Sequence, residues 1–165
     1  MRNESTEQLH AIITSLNDLT LLAGLGEGAR VLVGGCFDIF HYGHFAFLEQ
    51  AKQMGDRLII ALESDNFIVQ YKGRTPVHTQ EQRARILASL RIVDAVVLLP
   101  LLKSDEDYRQ LVHSLKPQVI AVTEGDRKQH LKERHAQEVG GSVKVASPLL
   151  PQFSSTKIYA ALLRD

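Results

Sequence analysis

The sequence predicts an α/β fold built on one open sheet of about five parallel strands, with helices on both faces. Two observations predict it. Short runs of Val, Ile, Leu and Ala recur along the chain, as expected for parallel strands that are buried on both faces. Segments with helical periodicity separate these runs, and such alternation is typical of a doubly wound, Rossmann-like sheet.

Length and composition favour a single domain over residues 1–165. Hydrophobic residues make up 44% of the chain, which is enough for a full core and argues against disorder. The 19 basic and 19 acidic side chains balance, so neither nucleic acid nor a membrane is an expected partner. Cys36 is the only cysteine, which excludes an internal disulfide and fits a cytoplasmic protein.

The first predicted element is an N-terminal helix at about residues 5–22. Ser5 and Gln8 can form a capping box at its start. Its apolar residues follow helical spacing and are Leu9, Ile12, Ile13, Leu16 and Leu19. The helix should end at the glycine-rich run 24–28. That run is not a dinucleotide-binding fingerprint, because those glycines must follow a strand and open a helix.

Strands and helices alternate from residue 30 onward. The predicted strands are residues 30–35, 57–62, 94–99, 118–123 and 142–147. The predicted helices are residues 42–54, 79–91, 104–115, 127–139 and about 155–164. Thr79 with Gln82 supports one helix start as a capping box, and Ser104 supports another as an N-cap residue.

Polar and glycine residues collect in the loops that follow the predicted strands. Those loops are residues 34–44, 63–78, 123–128 and 148–157. In an open parallel sheet the ligand binds at the carboxyl ends of the strands, near the switch in strand order. The four loops therefore predict one active site at one edge of the sheet.

The most informative segment is G-G-C-F-D-I-F-H-Y-G-H, residues 34–44. It places His41 and His44 at the start of a helix, where free N–H groups and a partial positive charge attract phosphate. Residues three apart share a helix face, and Gly43 permits close approach. The two imidazoles are thus expected to stabilise charge on a transferring phosphoryl group.

Three further segments are candidates for ligand contact. Lys72 and Arg74 lie in a polar loop that is expected to be mobile and to close over a triphosphate. The hydroxyl-bearing segment 154–156 opens the last helix, where it would hold phosphate or cap the helix. Gly125 would let the backbone approach a base or sugar, and Asp126 would contact the acceptor or cap the next helix.

Asp38 has three alternative roles: it would orient its loop, contact the acceptor or help to hold magnesium. The histidines outside this edge are expected to be surface residues, and they are His10, His113, His130 and His135.

The motifs and their order resemble those of the cytidylyltransferase-like nucleotidyltransferases. The matching segments are the H-x-G-H motif, A-K-Q-M-G-D-R-L-I-I-A-L-E-S-D, K-G-R-T-P-V, E-Q-R-A-R-I-L-A-S-L-R-I-V-D, E-G-D and S-S-T-K-I. The pattern is similar to the adenylyltransferases that form ADP-heptose and, next, to glycerol-3-phosphate cytidylyltransferases. The resemblance implies transfer of a nucleoside monophosphate from an NTP, with Mg²⁺, to a phosphorylated small molecule such as a sugar phosphate, with release of pyrophosphate.

The resemblance also implies residue roles. His41, His44 and Lys72 would be catalytic, and Asp38 would face the acceptor. The nucleotide-binding residues would be Gly35, Cys36, Phe37, Gly43, Arg74, Gly125, Asp126, Ser154, Ser155 and Thr156. No residue is implied as a metal ligand, and a homodimer is implied, with the aromatic residues near the motif as candidate surface.

Departures from the family pattern bear on the substrates. Leu149 stands where cytidylyltransferases carry an arginine, which favours ATP over CTP, with Leu149, Leu150 and Pro151 as an apolar wall for adenine. Gln152 replaces an expected glycine, and G-D-R-K at 125–128 replaces G-D-D-W. Two alternatives stay open: a CTP-dependent enzyme of the glycerol-3-phosphate type, and a nucleotide-binding module without catalysis.

Overall fold

A computed structural model describes residues 11–147 and 152–163. In these residues the strands are β1 Ile12–Ser15, β2 Arg30–Gly35, β3 Arg57–Leu62, β4 Ala95–Leu98, β5 Val119–Thr123 and β6 Ser142–Ser147. The helices are α1 Tyr42–Lys52, α2 Asp65–Lys72, α3 Gln80–Ala88, α4 Asp105–Leu115, α5 Gln129–Glu138 and α6 Ser155–Leu162, with a 3₁₀ helix at Thr20–Leu25.

The described strands form one parallel sheet in the order β1-β4-β3-β2-β5-β6. The chain runs outward from β2 through β3 to β4, and then returns to the other side of β2 as β5 and β6. The switch in strand order therefore lies between β2 and β5. The structure confirms the predicted doubly wound, Rossmann-like fold, with six parallel strands.

Alternate residues of the central strands build two cores, one on each face of the sheet. Val31 and Ile60 face α1 and α3, while Leu32 and Ile59 face α4 and α5; all four are at most 1% exposed. Burial on both faces explains the uninterrupted apolar strand sequences.

The helix predicted over residues 5–22 is wrong for its described part. Ile12–Ser15 is a strand that pairs in parallel with β4, and Thr20–Leu25 is a 3₁₀ helix. Leu22 and Leu25 of that turn are buried. The open edge of β4 supplies hydrogen bonds that helical spacing of apolar residues does not reveal. Residues 5–10 lie outside the described part of the chain.

The loop predicted between β3 and α3 contains helix α2. The hydroxyl of Ser64 caps it by accepting from the Phe67 N–H at 3.2 Å. Gly73 ends it with φ at 65°, a left-handed conformation that suits glycine. Lys72 therefore belongs to the last turn of a helix, and its placement in a loop is wrong. None of the described helices is long and apolar enough to cross a bilayer.

Candidate active site

A cavity of about 590 Å³ lies at the carboxyl ends of the strands. The loops after β2, β3, β4 and β5 line it, together with the start of α6. Ten of the predicted site residues line it: Gly35, Cys36, Phe37, Asp38, His44, Lys72, Arg74, Asp126, Ser155 and Thr156. The other four lie next to these in sequence but do not line the cavity: His41, Gly43, Gly125 and Ser154.

The two histidines stack at the amino end of α1. Their ring centroids lie 3.8 Å apart with planes 20° from parallel. His41 is the N-cap of α1, and its Nδ1 accepts a hydrogen bond from the His44 N–H at 3.4 Å. An accepting Nδ1 carries no proton, so the neutral His41 ring holds its proton on Nε2 and can donate from there.

His44 is the more deeply placed ring of the pair. Burial, together with the neighbouring His41, lowers the pKa of His44 to about 3, against a smaller opposing effect of Asp38. Its ring contacts those of Phe37 and Phe40 at centroid distances of 5.2 and 5.6 Å. Its Nδ1 is buried and has no hydrogen-bond partner among the described residues. The ring is therefore neutral at neutral pH, and His44 lines the cavity.

The loop between β2 and α1 is held in a strained conformation. Phe37 and Ile39 have φ values of 49° and 53°, in the left-handed region that side chains other than glycine rarely enter. Such strain persists where the surrounding structure fixes it, and it is concentrated at functional sites. At Gly43, a side chain would meet Phe153 Cβ at 2.8 Å and the His41 ring at 3.0 Å. The motif glycine therefore lets α1 pack closely against the segment before α6.

The carboxylate of Asp38 accepts hydrogen bonds from the segment that follows α2. It accepts from Arg74 at 2.5 Å and from the backbone N–H groups of Val77 and His78 at 3.0 and 3.1 Å. Burial opposes ionisation, but these hydrogen bonds outweigh it and hold the pKa of Asp38 below its usual value. The contacts correspond to the loop-orienting role among the three alternatives for Asp38.

The start of α6 joins this loop. The Ser155 hydroxyl donates to the Asp38 carbonyl oxygen at 2.8 Å, and Arg74 lies 5.0 Å over the ring of Tyr159. Ser154 is the N-cap, accepting from the Lys157 N–H at 3.4 Å. The three hydroxyls thus have separate positions, because Ser154 caps the helix, Ser155 anchors it and Thr156 is exposed at the cavity.

Lys72 and Cys36 both line the cavity. Burial raises the pKa of the Cys36 thiol, and the charge of nearby Lys72 lowers it by less. The thiol is therefore protonated at neutral pH and unsuited to nucleophilic attack. Lys72 is exposed, and no described residue forms an ion pair with it, so its ammonium group is free to meet an anion.

Glu63 was not among the predicted site residues, although it directly follows β3. Burial raises its pKa to about 7, against the opposing charges of Lys128, Lys132 and Arg83. Its Oε2 is buried without a described partner. The position at the end of a buried strand is a signal that the sequence did contain.

The loop after β5 is fixed by Asp126. Its carboxylate accepts from the Lys132 ammonium at 2.6 Å and from the Lys128 N–H at 2.8 Å. Burial opposes ionisation, but these bonds keep the pKa of Asp126 below its usual value. Gly125 has φ at 77°, so the glycine permits the turn that brings Asp126 to the cavity.

His135 is buried at 1% exposure, and its interpretation as a surface residue is wrong. It lines the cavity from α5, with Nε2 3.2 Å from Asp105 Oδ1. Helical periodicity predicts His135 on a polar face of α5, but packing of α5 against α4 buries that face. His113 and His130 are exposed as predicted, and His10 lies outside the described residues.

The described residues include no cluster of three or more His, Cys, Asp or Glu side chains that could hold a metal ion. Magnesium usually binds through one or two carboxylates together with substrate phosphates. Because Asp38 is engaged by Arg74 and two N–H groups, Mg²⁺ would be held here chiefly by the phosphates of the nucleotide with which it enters.

Comparisons with known proteins agree with this geometry. The sequence profile of the family described as cytidylyltransferase-like matches residues 32–161. The bifunctional protein HldE of Koribacter versatilis is 37% identical over 131 residues, which are 78% of this chain and 26% of that protein. The FAD synthase of Pyrococcus horikoshii is 45% identical over 99 residues, 60% of this chain and 65% of that enzyme. The chain thus spans less than two thirds of the length of either relative.

Among solved structures, the lipopolysaccharide core biosynthesis protein of Thermoplasma volcanium is similar with a TM-score of 0.59. It is 24% identical, and the match covers 75% of this chain and 98% of that one. At this identity the likeness supports the fold alone.

Proposed function

The chain belongs to the cytidylyltransferase-like family, and we propose that it transfers a nucleoside monophosphate from an NTP to a phosphorylated small molecule. A phosphate oxygen of the acceptor attacks the α-phosphorus and forms a new P–O bond. The bond between the α- and β-phosphates breaks, and pyrophosphate leaves with the bonding electron pair. No nucleophile from the protein is required, which agrees with the protonated Cys36 thiol.

One observation carries this proposal: His44, whose ring stacks on that of His41 at the amino end of α1, lines a cavity that also receives Lys72 and the start of α6. The Nε2–H of His41 and the imidazole of His44 would meet the α-phosphate. A triphosphate placed there would raise the pKa of His44, because an opposite charge favours the protonated ring. Preorganised donors of this kind stabilise the charge that develops during transfer.

The other cavity residues would hold the remaining phosphates. Lys72 is an exposed cation that lines the cavity, and Thr156 lies in the first turn of α6, where N–H groups are free. Mg²⁺ bound to the triphosphate would neutralise part of its charge. Arg74 stays a predicted nucleotide-binding residue, and in the structure its guanidinium bonds Asp38 and lies over the ring of Tyr159.

ATP is the proposed nucleotide, and a sugar phosphate is the proposed acceptor. The ATP proposal rests on Leu149 in place of an arginine; Leu149, Leu150 and Pro151 lie outside the described residues. The name of the HldE relatives and that of the FAD synthases point to different acceptors, so FMN is the second candidate. A CTP-dependent enzyme acting on glycerol 3-phosphate is the alternative from the other branch of the resemblance.

The test is pyrophosphate release with ATP or CTP, each with Mg²⁺, against hexose and heptose 1-phosphates, glycerol 3-phosphate and FMN. We expect release with ATP and a sugar 1-phosphate. Release with CTP and glycerol 3-phosphate alone would move the chain to the alternative branch. ATP binding by calorimetry without release from any pair would favour a nucleotide-binding module that lacks catalysis.

A further inference from the structure

The part of the cavity on the α4 and α5 side of the sheet is not used by the phosphate chemistry. We call it the α4–α5 chamber, formed by Glu63, Tyr108, Asp126, Lys128, Lys132 and His135, all of which line the cavity. Glu63 continues the alternation of Ile59 and Ala61, which pack on the α4 and α5 side. Phe37, beside His44, belongs instead to the core on the α1 and α3 side.

The chamber contains two buried acceptor atoms without a described partner. One is Glu63 Oε2, and the other is His135 Nδ1. The Nε2 of His135 lies 3.2 Å from the Asp105 carboxylate, so in the neutral ring the proton belongs on Nε2 and Nδ1 is a free acceptor. Buried polar atoms are nearly always paired in folded proteins, and these two point to a ligand that brings hydrogen-bond donors.

Tyr108 and Lys128 add donors to the same chamber. The Tyr108 hydroxyl lies so close to β2 that a side chain at Gly34 would meet it at 2.8 Å. Burial raises the pKa of Tyr108, as do the charges of Glu63 and Asp126, so the phenol keeps its proton. The Tyr108 ring lies 6.4 Å from that of His135 between centroids, which gives the chamber an aromatic wall.

The charges of the chamber disfavour a phosphate group. The acidic residues Glu63, Asp105 and Asp126 outnumber the two lysines, Lys128 and Lys132, and the Lys132 ammonium is already bonded to Asp126 at 2.6 Å. A group that both donates and accepts hydrogen bonds fits this mixture, and a pair of neighbouring hydroxyls is such a group.

We propose that the α4–α5 chamber binds neighbouring hydroxyl groups of a substrate and that Glu63 is the specificity-determining residue within it. The proposal rests on the proposed function, since it concerns the same cavity. The hydroxyls have two possible sources, the polyol of the acceptor and the ribose of the nucleotide, and the chemistry of recognition is shared.

The test compares Glu63→Gln with Glu106→Gln, a matched control at an exposed position of α4. Glutamine keeps the shape of the side chain and replaces one acceptor oxygen with a donor. For the best sugar 1-phosphate, we expect Glu63→Gln to lower kcat/KM by about 10- to 100-fold, as for one hydrogen bond to a charged group. With the deoxy analogue that lacks the contacting hydroxyl, Glu63→Gln should lower kcat/KM only slightly relative to the wild type.

Parallel measurements with ATP, 2′-deoxy-ATP and 3′-deoxy-ATP identify the source. If Glu63→Gln lowers kcat/KM only when the acceptor carries the hydroxyl, the chamber binds the acceptor. If it does so only when the nucleotide carries the ribose hydroxyl, the chamber binds the nucleotide. Equal kinetics of Glu63→Gln and Glu106→Gln in both series would overturn the proposal. So would an equal loss with each substrate and its deoxy analogue, which is what a merely structural role would give.

The two proposals fail separately. Calorimetric binding of ATP and of the sugar 1-phosphates is measured for the same variants. If no pair of nucleotide and acceptor releases pyrophosphate but Glu63→Gln weakens binding of the hydroxylated ligand alone, the proposed function is wrong and the proposal on the chamber is supported. If pyrophosphate is released but neither binding nor kinetics responds to Glu63→Gln, the proposed function stands and the proposal on the chamber is wrong.

Discussion

At the scale of single residues, His41 and His44 divide two tasks. The Nδ1 of His41 caps α1 by accepting a hydrogen bond, so Nε2 is the nitrogen that can bind a ligand. His44 is buried with an unused Nδ1. The first prediction follows from this difference. His44→Ala should leave the fold intact and lower kcat by about 10²–10³, the usual cost of losing one preorganised donor.

The measurement is steady-state pyrophosphate release, with His130→Ala as the control because His130 is exposed on α5. His41→Ala should lose activity and also about 1 kcal/mol of stability, since it removes a helix cap. Near-normal kcat for a folded His44→Ala protein would rule out the proposed role of the pair.

The second residue-scale prediction concerns Glu63 and pH. The charged and titratable groups that interact with it are Lys128, Lys132, Arg83, Tyr108 and Cys36. Asp126 and His135 line the same cavity. Burial raises the pKa of Glu63 from 4.5 to about 7. Between these values the folded protein holds a proton that the unfolded chain has released. The contribution of Glu63 to the free energy of unfolding is therefore full below pH 4.5, falls as the pH rises, and is lost above pH 7.

Glu63→Gln resembles the protonated side chain and should remove this dependence. At pH 8 the variant should be more stable than the wild type by about 1–3 kcal/mol, while near pH 4.5 the two should agree. Urea denaturation at both pH values measures the difference, with Glu106→Gln as control. A gain of the same size at both pH values would contradict a raised pKa in the folded protein.

At the scale of elements, Arg83 joins the segments that form the cavity. Its side chain is buried, and it donates to the carbonyl oxygens of Cys36, Glu63 and His78 at 2.6, 2.9 and 3.1 Å, and to Asp65 at 2.7 Å. Removing one partner of a buried charged network typically costs about 3–5 kcal/mol.

Arg83→Met is thus expected to lower the free energy of unfolding by about 3–5 kcal/mol. Arg85→Met is the matched control, because Arg85 lies on the same helix in an exposed pair with Glu81 and should change stability by less than about 1 kcal/mol. Denaturant midpoints measure both. Equal shifts for the two variants would show that the carbonyl contacts of Arg83 contribute little.

The segment after α2 gives a second element-scale prediction. We expect ATP with Mg²⁺ to protect residues 71–78 from proteolysis, because Lys72 would bind the triphosphate and Gly73 is an exposed turn. Asp38 already holds Val77 and His78 without ligand, so the change should be greatest near Gly73. Limited proteolysis with and without nucleotide measures this, and equal cleavage in both states would contradict it.

At the scale of the whole molecule, the homodimer stays a prediction. The aromatic residues near the motif are Phe40, Tyr42, Phe45 and Phe47. Phe47 is buried in the core, Phe40 packs against it, and Phe45 is half-buried. Tyr42 is 61% exposed and lies 5.4 Å from the Phe153 ring, so these two rings are the surface available for association. A monomeric mass at micromolar concentration in sedimentation equilibrium would reject the dimer.

The sequence alone determined the fold and the position of the motif histidines at a helix start because their signals are local. Strands β2 to β5 appear as apolar runs within one or two residues of their bounds, since burial on both faces excludes polar residues. The edge strand β6 is largely exposed, and its bounds also agree with the prediction. The histidines could be placed at a helix start because strand, motif and helix are adjacent in the chain. Capping at Thr79 is equally local, and the structure contains it.

Tertiary structure alone decided β1, the burial of His135 and the α4–α5 chamber. Ile12–Ser15 has helical spacing but pairs with β4, which lies more than 80 residues away in sequence. Glu63 and His135 line one cavity only because β3 ends and α5 begins at the same edge of the sheet. Backbone pairing at an open edge and the burial of a polar helix face depend on which distant residues meet. Local periodicity contains no information on such long-range contacts, so only the folded arrangement brings these groups to one cavity.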